Sequence, residues 1–82
     1  MAETSGLVQR LSVFEVLTCV WVGPRPDNAE ILLVLNDGSP ASTSFAGTLV
    51  EILSAAMTNY RSVVAIHDDN SATITSLRID PV

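Results

Sequence analysis

The sequence predicts a mainly β chain with one helix, in the order β-β-β-α-β-β, folded as a small five-stranded barrel. Three observations predict it. Two β-rich runs, Leu7 to Val22 and Ala29 to Leu35, fill most of the first half. A single stretch with helical apolar spacing, Phe45 to Tyr60, follows them. Two β-branched runs flanking Asp68-Asp69-Asn70-Ser71, a turn sequence, then close the chain as a hairpin.

Residues 1–5 read as a flexible tail and residues 6–82 as one barrel domain. From Leu7 to Val22 both alternation phases are apolar: Leu11, Val13, Leu17, Cys19 and Trp21 on one, Phe14, Val16, Val20 and Val22 on the other. A strand covered on one face shows a single phase. The run is therefore buried on both faces, or a bulge near Glu15 swaps them. Gly23-Pro24-Arg25-Pro26-Asp27-Asn28 is a loop, since two prolines remove ladder donors and Asp-Asn suits a turn. Glu30 to Leu35 is the second strand, ended by the hairpin signal Asn36-Asp37-Gly38. Ser39 to Ser42 is expected as a brief third strand.

Thr43 or Ser44 is expected to cap the helix by accepting a free first-turn N–H. On a helical wheel Phe45, Leu49, Ile52, Leu53, Ala56 and Tyr60 lie together, flanked by Ala46, Val50 and Met57. The opposite face carries Gly47, Thr48, Glu51, Ser54, Ala55 and Thr58. Small, weakly polar residues there let another surface approach closely, so this face is the candidate subunit interface; the alternative is simple tolerance of small residues on a solvated helix. Asn59 or Arg61 should end the helix, Ser62 to His67 forms the next strand, and Ala72 to Asp80 the last, with a phase slip between Ile74 and Leu77 and a stop at Pro81.

Three strands, a helix and two strands is the element order of the OB-fold, a partly open Greek-key barrel. Within it, Ile31 to Leu35, the Asn-Asp-Gly turn, the helix Phe45 to Asn59 and the hairpin Val63 to Ile79 resemble the B subunits of Shiga-type toxins in order and length. The resemblance implies a barrel and a pentamer ring with helices toward its axis. Those subunits are secreted, disulfide-bonded glycan binders, whereas this chain has one cysteine and no signal-peptide pattern. None of their sugar-binding residues is matched, so none is carried over.

Composition bears on partners. A chain of 82 residues buries only about 60% of the surface its unfolded form exposes. Yet 48% of the residues are apolar and 16% charged, with a mean hydropathy of +0.40. The excess apolar surface points to a homo-oligomer. The net charge of -5, with four arginines and no lysine, disfavours nucleic acid and anionic membrane. Cytoplasm is the expected compartment, and Cys19 is expected as a buried small hydrophobe. Trp21, Phe14, Phe45 and Tyr60 are expected as core or interface anchors rather than a base-stacking platform.

His67-Asp68-Asp69 is the one candidate catalytic group, because a histidine beside carboxylates can serve as a base. Read instead as a strand-end residue, His67 would be replaceable at little cost. No cofactor loop or nucleophile elbow occurs, and a lone histidine is too few ligands for a metal; turn aspartates Asp27, Asp37, Asp68 and Asp69 do not form an EF-hand loop. Three functions follow: a homo-oligomeric binding or assembly module for a small molecule, glycan or protein; a small enzyme using His67 with Asp68 or Asp69 at a subunit boundary; or an OB-fold nucleic-acid binder, disfavoured by charge.

Overall fold

The computed structural model of the chain describes residues 2–79. Its elements are β1 (Ala2–Val13), β2 (Leu17–Arg25), β3 (Asn28–Leu35), α1 (Pro40–Thr58), β4 (Ser62–His67) and β5 (Ile74–Arg78). The chain is mainly β with one helix, and the order β-β-β-α-β-β stands. The strands form one antiparallel sheet in the order β3-β2-β1-β4-β5. The sheet is not closed, and in that it falls short of the expected five-stranded barrel. β3 and β5 approach only at the parallel bridge Leu33–Thr73, where Leu33 N–H donates to the Ala72 carbonyl at 2.8 Å.

Several boundaries differ from the sequence reading; the loop expected over Gly23 to Asn28 shrinks to Pro26 and Asp27, because β2 runs to Arg25 and β3 starts at Asn28. The run Leu7 to Val22 is two strands, not one long one: Phe14 N–H donates to Leu17 O at 2.8 Å and turns the chain into a β1–β2 hairpin. Ala2 to Ser5 is no tail; it is the start of β1, paired with β4 from Ala2–His67 onward. Ser39 to Ser42 is no strand. Ser39 caps α1 by accepting Ser42 N–H on its hydroxyl at 3.2 Å, and Pro40 takes the first helical position, where a missing N–H costs nothing. Thr43 and Ser44 therefore lie inside the helix.

The apolar phase of β1 does swap, but at Gln9 rather than Glu15. The register slips between Val8 and Arg10, and the side-chain amide of Gln9 donates to Gly23 O at 2.8 Å. Before the bulge Val8 faces inward opposite Val22; after it Leu11 does so opposite Val20. The slip expected between Ile74 and Leu77 is present too. His67 pairs with Ile74 and Ile66 with Ser76, leaving Thr75 unpaired, its hydroxyl donating to Ile66 O at 3.1 Å. The expected end of this strand at Pro81 lies outside the described residues.

α1 lays Leu49, Leu53 and Ala56 against the sheet, where they meet Val8, Val20, Val22, Leu32, Val34, Val63, Ala65 and Ile74 in one core. Phe45 and Tyr60, expected on that buried face, are exposed. Tyr60 leaves the helix altogether. It has φ 54, while Tyr60 N–H reaches Met57 O at 3.4 Å and Arg61 N–H reaches Ala56 O at 2.9 Å, a Schellman ending. Glycine is the usual residue there.

The turn before α1 is a small polar lattice. Asn36 Oδ1 accepts Gly38 N–H at 2.9 Å and Asp37 Oδ1 accepts Ser39 N–H at 2.9 Å. The Ser39 main-chain N–H, then its hydroxyl, hold the Asp37 carboxyl below its ordinary value of 3.8. Because the folded value is depressed, this contribution is present at neutral pH and is lost as pH falls through that depressed value. Asp37→Asn should therefore lower urea resistance near neutral pH, and lower it less at an acid pH below the depressed value. Equal losses at both pH values would assign the effect to shape rather than charge.

Candidate functional site

His67 ends β4 with its ring turned inward and only 9% exposed. Its Nδ1 lies 3.0 Å from Asp68 O and 2.8 Å from Ser71 O, both carbonyls of the β4–β5 turn. Its Nε2 lies 3.0 Å from Thr4 Oγ1 on β1. Thr4 Oγ1 in turn stands 2.6 Å from Glu30 Oε2 on β3. The side chain is thus a buried, fully partnered group and not a replaceable strand end. The expected pairing of His67 with the carboxylates of Asp68 and Asp69 is not what is built. Asp68 meets the ring through its main-chain carbonyl, and both aspartates sit in the exposed turn. The carboxylate that joins the group is Glu30.

Two close approaches make this meeting possible. Gly6 has φ 143, and a Cβ on it would stand 2.7 Å from Gly23 C. A Cβ on Gly23 would stand 2.2 Å from Asn28 O. Glycine at both positions lets β1 cross the β2–β3 turn closely enough for Thr4 to reach Glu30. A cleft of about 330 Å³ opens beside them, lined by Thr4, Ser5, Val22, Gly23, Pro24, Asn28 and Glu30 among others.

A second feature is apolar. On the outer face of the sheet the register sets Leu17 beside Leu35, Cys19 beside Leu33 and Trp21 beside Ile31. Ile31 is 53% exposed and Leu35 47%; the others are half-buried. Arg10, opposite Trp21 on β1, lays its guanidinium over the indole at 5.0 Å. Cys19 is therefore a half-buried member of an outward stripe rather than a core residue. Phe14 and Val16, in the β1–β2 turn, add exposed apolar surface at the same end of β2. The edge of β3 beside this stripe makes one main-chain bond among the described residues outside its own ladder, that of Leu33 to Ala72.

The third feature is the helix face expected as an interface. Gly47, Thr48, Glu51, Ala55 and Thr58 are exposed and Ser54 is half-buried. A groove of about 450 Å³ runs along its flank, lined by Ile52, Ala55, Ala56, Asn59, Arg61 and Ile79.

Thr4, Glu30 and the outward stripe were missed by sequence reasoning. Thr4 fell in the supposed tail, and Glu30 read as an ordinary polar start to a strand. The stripe had one signal, the doubled apolar phase of the first run, which reads as burial on both faces or as a bulge near Glu15. Among the described residues, no cluster of three or more His, Cys, Asp or Glu is placed to hold a metal ion. Among the same residues, no helix is long and apolar enough to cross a membrane. No family model, no curated protein and no solved structure matches the chain.

Proposed function

We propose that this chain is a homo-oligomeric assembly module on an OB-fold-like barrel, whose copies meet head to tail through the β2–β3 stripe of one and the α1 face of the next. The observation that carries it is the ladder Leu17/Leu35, Cys19/Leu33, Trp21/Ile31 turned to water. A stable contact of about 800 Å² a side would cover roughly a sixth of the 5150 Å² surface. The two surfaces complement each other. The stripe is made of large side chains with one cation, Arg10, on its rim; the helix face is made of small ones with one anion, Glu51. The central place of β1 between β2 and β4, with β3 and β5 brought together behind them, supports the OB-like reading. Contacts between two different patches close into rings where the rotation between copies closes, and the toxin resemblance favours a ring of five members. A small molecule, glycan or protein ligand would then sit at a subunit boundary. No observation on the chain favours the enzyme or the nucleic-acid reading over this one.

Native mass spectrometry at micromolar concentration tests it. The wild type should be one discrete oligomer. Ile31→Arg, Ser54→Arg and Ala55→Arg should each yield folded monomers, because a desolvated, unpaired charge costs several kcal/mol at a repeated contact. On a solvated surface the same changes cost less than about 0.5 kcal/mol. Arg10→Glu and Glu51→Arg should each weaken assembly, and the double variant should restore it. A monomeric wild type would sink the proposal. An oligomer that ignores every helix substitution would remove α1 from the contact.

A further inference from the structure

We infer that the cleft between the β1–β2 turn and the first half of α1 is a binding site for a small uncharged molecule, one with an apolar two-ring body and a single hydroxyl or carbonyl. The cleft measures about 320 Å³. Its walls are Val13 and Leu17 of the hairpin, Val34 of β3, and Ala46 and Val50 of α1. Val34 is buried, whereas Val13 is 68% exposed and Phe14, at the rim, 59%. Apolar surface thus lines the cleft from its floor to its mouth. A dry cavity of about 150 Å³ holds benzene, so the volume here suits two fused rings. Every lining group belongs to one chain, so the inference does not depend on assembly.

Thr18 carries the inference. It shares the inward phase of β2 with Val20 and Val22 and is 5% exposed. Its main chain sits in the sheet, opposite Val13 on β1 and Val34 on β3. Its hydroxyl bonds to no other group among the described residues. No buried side-chain oxygen of those residues is sealed off without a partner, so this one opens on the cleft that Thr18 lines. Valine would fill the same shape with no polar atom to desolvate. The hydroxyl is therefore aimed at an occupant that the fold itself does not supply. Asn36 adds a second polar group. Its Oδ1 already accepts Gly38 N–H at 2.9 Å and the Thr43 hydroxyl at 3.1 Å. Those bonds fix the amide's orientation and leave its NH₂ as a donor beside the cleft. A hydroxyl or carbonyl oxygen on the ligand suits both donors. Charge narrows the class further. The one charged lining group is Glu15, an exposed carboxylate, on a chain of net charge -5. Nothing in the lining balances an anion, and an exposed carboxylate holds a cation only weakly.

β-Naphthol, uncharged at neutral pH, is the probe, with amide chemical shifts of isotope-labelled protein as the readout. It should bind the wild type saturably, with a dissociation constant of about 1 mM or tighter. The largest shifts should fall at Phe14, Thr18, Asn36 and Gly47. β-Naphthoate, the same rings bearing a carboxylate, should bind about tenfold more weakly. Thr18→Val separates a built site from a merely apolar one. It exchanges the hydroxyl for a methyl, so a cleft that works by apolar contact alone would take β-naphthol more tightly. The expected result is binding roughly fivefold weaker, the loss of one hydrogen bond, with the melting temperature kept. Ala46→Leu should fill the cleft from its α1 wall and abolish the shifts. Ser54→Arg should bind the probe as the wild type does, whatever it does to assembly. A Thr18→Val protein that binds β-naphthol as tightly as the wild type would overturn the site. So would shifts centred on Ile52, Ala55 and Ile79, the other groove along α1, and equal binding of β-naphthoate would overturn the uncharged class.

Discussion

Leu53→Ala should be among the most damaging single changes in this chain, costing about 2–5 kcal/mol in urea unfolding. Leu53 is 0% exposed, at the centre of the face that seats α1 on the sheet, with Leu49 before it and Ala56 after it. Truncation leaves a cavity walled by strands on one side and helix on the other, and neither can collapse without moving the other. A domain of this length holds only about 4–12 kcal/mol in total. The variant should thus be partly unfolded under conditions in which the wild type is folded. Leu53→Met, which conserves volume, should cost less than about 1.5 kcal/mol. An unchanged urea midpoint for the alanine variant would mean that α1 does not seat through this residue.

Gly23→Ala should do comparable damage for an unrelated reason. The added methyl would lie 2.2 Å from Asn28 O and 2.6 Å from Ala29 Cα. Both are main-chain atoms of the tight turn joining β2 to β3, so no side chain can swing aside. The turn would have to open, pulling Glu30 from Thr4 and Gln9 from Gly23 O. The loss should be roughly 3 kcal/mol, the upper end for overpacking. Gly47→Ala is its counterpart. A Cβ there meets nothing, and alanine in an exposed helix should gain about 1 kcal/mol. Thermal melts of the two variants should move in opposite directions. A Gly23→Ala protein that melts with the wild type would show that Asn28 and Ala29 lie farther from Gly23 than described.

Much of the order was legible and much of the partnering was not, for physical reasons. α1, β4 and the slip in β5 were readable because each rests on spacing within about a dozen neighbouring residues. The β1–β2 hairpin was hidden because its turn, Phe14-Glu15-Val16, contains no Gly, Pro, Asn or Asp and is itself apolar. Asn36-Asp37-Gly38 misled in the opposite sense. It is a turn, but its side chains build a helix entrance, and the Ser39-Pro40 pair behind it was the better clue. Ala2 to Ser5 shows no pattern because β4 supplies its order. The site follows the same rule. His67 was visible as a titratable residue, but Thr4 stands 63 positions from it, and Glu30, which Thr4 joins to it, stands 26 positions from Thr4. No spacing rule reaches that far.

The divided pairing of β1 has a consequence for how the molecule is made. Its later half pairs with β2, which follows at once in synthesis; its opening half, Ala2 to Leu7, pairs with Ser62 to His67. At roughly 5–20 residues per second a ribosome needs several seconds to deliver that partner. During this interval β1 keeps an unclaimed edge, and until α1 follows β3 the apolar face of the three-stranded sheet is uncovered as well. Contacts of such long sequence separation form late. The nascent chain therefore spends its most adhesive moments before Ser62 to His67 is made, and neighbouring nascent copies on one transcript are the surfaces it meets first.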